Sequence, residues 1–108
     1  MRKLRCSLLC LVSFSVILVQ GRLAAAVEYD TKLPQLAFAA EELESAFLET
    51  GRENLRVVLI VEPDQSSPEA FQIRSSGPNR VEVTGTDAKG AMYGGLEVAD
   101  LLRLGLPI

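Results

Sequence analysis

The 108-residue chain contains no histidine, which removes the commonest general base and the commonest imidazole metal ligand. Its two cysteines, Cys6 and Cys10, both fall within the first ten residues. Everything downstream therefore has no disulfide, no thiolate ligand and no cysteine nucleophile. Ser45, Ser66, Ser67, Ser75 and Ser76 have no histidine to activate them, and no nucleophile-elbow glycine pattern surrounds any of them. An Asn-x-Ser/Thr acceptor for glycosylation is also missing. The long apolar run, Cys6 to Val19, is about 14 residues, short of the roughly 20 needed to span a bilayer.

What is present at the front end has the layout of a secretory signal. Arg2, Lys3 and Arg5 precede the apolar run, and Ala24-Ala25-Ala26 follows it as a small-residue cleavage site, with Val19-Gln20-Gly21 as a weaker upstream alternative. Leu9 before Cys10 does not suit a lipoprotein signal. The division expected is a leader over 1–26 and one domain over 27–108, exported to the periplasm or the medium without a stable membrane anchor. Arg2, Lys3, Arg5 and Arg22 belong to that leader. Of the 11 basic residues seven then remain, against 14 acidic ones, a net charge of about −7. Such a balance argues against nucleic acid, whose phosphates require clustered Lys and Arg.

Downstream, Val27 to Lys32 forms a short extended lead-in. Pro34 stands where a first-turn proline is tolerated, with Thr31 as a nearby cap. Leu36, Ala40, Leu43 and Phe47 follow helical spacing, while Glu41, Glu42, Glu44, Ser45 and Glu49 occupy the wet side. Gly51 ends this helix. Leu55 to Glu62 is a nearly continuous β-branched run, the pattern of a strand covered on both faces. Pro63 stops it. Alternating runs at Phe71 to Arg74 and Arg80 to Thr84, separated by Ser76-Gly77-Pro78-Asn79, predict an antiparallel hairpin.

Asp87 is placed to cap a final helix whose polar stripe is narrow: Lys89, Tyr93, Glu97, Asp100 and Arg103. A helix so apolar needs covering on more than one side. Two small-residue ladders run along it, Gly90 with Gly94, and Ala91 with Gly95 and Ala99. Glycines inside a helix cost about 1 kcal/mol each relative to alanine, so close approach of a strand or helix is the expected compensation. The order helix, strand, strand, strand, helix, with the short leading strand, predicts an α+β fold. Its sheet is expected to be small and mainly antiparallel, with both helices mostly on one face.

Candidate chemistry is sparse. The glutamates of the first helix lie on a solvent face, and Asp64 and Glu69 lack calcium-loop spacing. Gly85-Thr86-Asp87-Ala88-Lys89-Gly90 has the glycine spacing of a phosphate loop, but Ala91-Met92 stands where Lys-Ser/Thr is required. Asp87 and Glu97 are almost three helical turns apart, too far to act as a pair. Tyr93 could stack on a sugar ring, although a boundary position between core and a neighbouring domain suits it better. No catalytic, cofactor-binding or metal-binding residue is expected.

The segment FQIRSSGPNRVEVTGTDAKGAMYGGLEVADLLR, Phe71 to Arg103, resembles the end of the non-catalytic N-terminal domain of secreted glycoside hydrolases such as bacterial β-hexosaminidases and α-glucuronidases. The likeness rests on a hairpin followed by G-x-D-x-x-G-x-x-Y-G, here Gly85, Asp87, Gly90, Tyr93 and Gly94, with Leu96-Glu97-Val98-Ala99 after it. Such domains sit beside a TIM barrel that carries the catalytic carboxylates, and no residue here matches a catalytic position. The resemblance implies an accessory domain, expected to be a truncated piece of a carbohydrate-active enzyme. Its partner would be a barrel met through the final helix, and any contact with carbohydrate would be indirect. The alternative is a stand-alone secreted binding or protease-inhibitor-like module, although the Gln-x-Val-x-Gly loop of cystatin-like inhibitors is absent.

Overall fold

The computed structural model describes residues 26–108, apart from Glu53. The leader expected over 1–26 therefore lies almost wholly outside the described residues. Strand β1 (Ala26–Glu28) leads into helix α1 (Pro34–Thr50), followed by β2 (Arg56–Val61), β3 (Phe71–Gly77), β4 (Arg80–Gly85) and helix α2 (Ala88–Leu104). Among the described residues no helix is long and apolar enough to cross a membrane.

The four strands form one sheet in the order β1-β2-β4-β3. The fold class is α+β, as expected, and the lead-in supplies its first strand. The sheet itself is mixed rather than mainly antiparallel. β1 pairs with β2 and β2 with β4 in parallel, and only the β3–β4 hairpin is antiparallel, with an irregularity between Ser75 and Gly77. Strand alternation records which face a side chain takes but not the direction of the neighbouring strand. Here β3 turns back at the sheet edge, so that β4 lies beside β2.

Both helices lie on one face. Val57, Leu59, Val81 and Val83 point into a single core with Leu36, Ala39, Leu43, Ala46 and Phe47 of α1 and Ala91, Val98, Ala99 and Leu102 of α2. No polar or charged residue is buried among those described. The opposite parity of β2 is different: Val58 and Ile60 are only half-buried and Arg56 is exposed. The expectation of a strand covered on both faces is thus met on one face only, because both helices share that side.

The two helices run side by side in the same direction. Early in the pair, the position of a Cβ on Gly95 would fall 3.0 Å from the Ala39 Cβ and 3.6 Å from Leu43. Towards their C-terminal ends, Arg103 donates to the carboxylates of Glu49 (3.3 Å) and Glu42 (3.4 Å). Two glutamates read as a merely solvated face are therefore partners of Arg103, and they hold its guanidinium above its ordinary pKa. Helix α1 starts at Pro34 with Leu33 as its cap residue and no side-chain capping bond, so Thr31 does not play that part. It stops at Gly51, whose φ of 71° is the left-handed conformation suited to glycine.

Candidate functional site: the β4–α2 junction

The residues singled out by motif meet where β4 passes into α2. Asp87 is extended and caps the helix, its Oδ1 accepting from the Gly90 N–H at 2.7 Å. Its other oxygen, Oδ2, accepts from the backbone N–H of Glu69 at 3.0 Å. These two N–H groups, Gly90 first, hold the Asp87 carboxyl below its ordinary pKa. One side chain thereby fixes the start of α2 and the end of the 62–70 loop together.

Thr86 completes the attachment. Its Oγ1 donates to the Ser67 carbonyl at 2.5 Å and accepts from the Ala70 N–H at 3.1 Å. Its own N–H donates to the Ala70 carbonyl at 2.9 Å, and its carbonyl accepts from the Asp64 N–H at 3.1 Å. Thr86 was not singled out by sequence. The available signal was a hydroxyl residue directly before an N-cap, at a point where a long polar loop needs backbone partners.

The glycines are there for close approach. A Cβ on Gly85 would lie 2.0 Å from the Ala91 nitrogen, and one on Gly90 would lie 2.2 Å from the Ala70 carbonyl oxygen. On Gly94 it would lie 2.4 Å from a Val83 methyl and 3.0 Å from the Phe71 ring. Gly90 thus admits the end of the 62–70 loop, Gly94 the sheet, and Gly95 of the second ladder α1. Tyr93, the remaining motif residue, is half-exposed and lines neither of the clefts beside this junction. Glu97 is exposed, and the structure does not bring it to Asp87.

Two clefts flank the 62–70 loop. One of about 460 Å³ is mostly apolar and runs between Leu33, Val61, Pro63, Pro68 and Ala88. The other, of about 280 Å³, is bounded by Glu62, Asp64, Phe71, Gln72, Thr84 and Thr86. Among the described residues no three His, Cys, Asp or Glu side chains are grouped to hold a metal ion. The junction is architecture: its polar groups are spent on backbone partners, and its glycines admit neighbouring chain.

One comparison with known proteins bears on what this architecture belongs to. The chain is similar to a GH138 enzyme targeting pectin rhamnogalacturonan II, at 31% sequence identity and a TM-score of 0.61. The match covers 72% of this chain and 10% of that one. This is a glycoside-hydrolase-related domain. It spans about a tenth of the length of that enzyme. No family model matches the sequence, and no curated protein does.

Proposed function

We propose that this glycoside-hydrolase-related domain is a non-catalytic accessory domain of an exported carbohydrate-active enzyme. It would be of the N-terminal type found in β-hexosaminidases and α-glucuronidases, and would pack against a TIM-barrel catalytic domain. The observation that carries this reading is a match at 31% identity to a small part of a much larger glycoside hydrolase. The motif Gly85, Asp87, Gly90, Tyr93 and Gly94 supports it as a scaffold rather than a reaction centre, since Asp87 bonds two backbone N–H groups and the three glycines admit close neighbours. The outer surfaces of the two helices supply the proposed contact. Phe38, Leu48 and Leu104, which are 49%, 87% and 70% exposed, are the apolar side chains a docked barrel would cover.

Export rests on the leader-like residues 1–26. Ala26 is already in β1, where its N–H donates to the Leu55 carbonyl at 3.1 Å. A cut after Ala26 would shorten that strand to two residues, so cleavage before Ala26 suits the fold better.

The test is made on residues 26–108 in isolation. Binding of a hydrophobic dye and concentration-dependent self-association are expected, both reduced by the Leu48→Ser/Leu104→Ser pair, with no turnover of aryl glycosides. A stable monomer that binds no dye would favour the stand-alone module, and turnover by the pure domain would end the non-catalytic reading.

A further inference from the structure

Strand β3 is an outer strand of the sheet, and no described residue pairs with its far side. One bond shows which backbone groups that leaves free. The Thr86 N–H donates to the Ala70 carbonyl at 2.9 Å, so Ala70 turns its backbone groups towards β4. Antiparallel bonding alternates along a strand, and Gln72 and Arg74 therefore do the same. Phe71, Ile73 and Ser75 turn their N–H and carbonyl groups outwards, where they form an open edge, a template for one more strand.

This edge has defined limits. Glu69, with a φ of 59°, turns the chain away before it, and the irregularity between Ser75 and Gly77 ends it. On the helix-covered face, Phe71 is 40% exposed and Ile73 half-buried. Helix α2 adds Tyr93 beside them: Gly95 faces α1, and Tyr93, about 200° round the helix from Gly95, faces the β3 side. On the opposite face of the sheet, Gln72 and Arg74 are exposed.

An edge of this sequence is complementary to itself. In an antiparallel pair centred on Ile73, Ile73 meets its own copy, Phe71 meets Ser75, and every outward backbone group finds a partner. Gln72 then lies opposite Arg74 of the other copy, at the closely spaced, non-hydrogen-bonded positions. Centring on Arg74 would set two guanidinium groups face to face. Centring on Gln72 would carry Ser75 past the end at Glu69. We infer that β3 pairs antiparallel with β3 of a second copy of this chain, centred on Ile73, so that two sheets become one. Each copy offers the same patch, as a two-fold interface requires. The inference does not depend on the accessory-domain reading.

The test is amide hydrogen exchange on the full chain over a dilution series from about 1 mM to about 20 μM. The Gln72 and Arg74 amides, bonded to β4, should be protected throughout. Those of Phe71, Ile73 and Ser75 should gain protection only as concentration rises, with a dissociation constant on the order of 100 μM, as suits a small interface. Gln72→Glu sets a carboxylate opposite each Arg74 and should tighten the dimer about three- to tenfold, whereas Gln72→Arg should weaken it by as much. Both variants keep the fold, because Gln72 is exposed on the face away from the helices. Unprotected edge amides at every concentration would overturn the inference. Protection at every concentration would do the same, since another part of the same chain would then cover the edge. Association indifferent to the charge at Gln72 would rule out this pairing. Dye binding and association through Leu48 and Leu104 do not respond to Gln72, so the two readings fail separately.

Discussion

The Glu69 backbone N–H and the Asp87 carboxylate meet at 3.0 Å, joining the end of a nine-residue loop (62–70) to the first turn of α2. The same carboxylate caps the helix through Gly90. Replacing Asp87 by Ala removes both bonds and is expected to lower Tm by about 4–8 °C, while Asn, which keeps an acceptor, should retain much of the cap. Thermal unfolding of the two variants checks this.

The pH dependence follows from the same contact. Asp87 has a folded pKa below its ordinary value of 3.8, so its stabilisation is fully present above that value. As pH falls through the folded pKa, the carboxylate is protonated and the stabilisation is lost. Asp64, depressed chiefly by the Ser66 hydroxyl and then by the Ser66 N–H, acts in the same sense. Acid unfolding of Asp87→Asn should therefore show a shallower loss of stability below pH 3.8 than the parent chain. Identical acid limbs would contradict the assignment.

Glycine-to-alanine changes in α2 should run against helix propensity. Alanine gains about 1 kcal/mol over glycine in a free helix. At Gly90 the added methyl meets a carbonyl oxygen at 2.2 Å, and a net loss of about 1–3 kcal/mol is expected. At Gly95 the obstacle is the Ala39 Cβ at 3.0 Å, so Gly95→Ala should be partly rescued by Ala39→Gly. Denaturant melts of the singles and the double test the coupling; strict additivity would mean that the two helices do not meet there.

Glu69 has a φ of 59°, left-handed without being glycine. Glu69→Gly should therefore stabilise the domain by about 0.5–1 kcal/mol, since the ion pair it forfeits with Lys89 is exposed on both sides. Chemical denaturation gives the sign directly.

The adjacent valines Val57 and Val58 separate the two faces of the sheet. Val57 is fully buried and Val58 only half-buried. Truncation to Ala should cost about 2–3 kcal/mol at Val57 and under about 1 kcal/mol at Val58. Equal costs would mean that something covers the second face.

Local pattern was enough to set the helices, their caps at Asp87 and Gly51, the hairpin and the alternation of its two strands. All of these follow from residue propensity and from the periods of 3.6 and 2. The same pattern marked the α2 glycines as places of close approach, because nothing local repays their cost. Packing set the remainder. Strand direction depends on where β3 and β4 settle, and the apolar run of β2 carries no record that both helices chose one side. The pairing of Arg103 with Glu42 and Glu49 spans more than fifty residues of chain, beyond any local pattern. The attachment of the 62–70 loop by Thr86 and Asp87, and the polar cleft that results, arise because backbone groups remote in sequence must find partners once the core has closed.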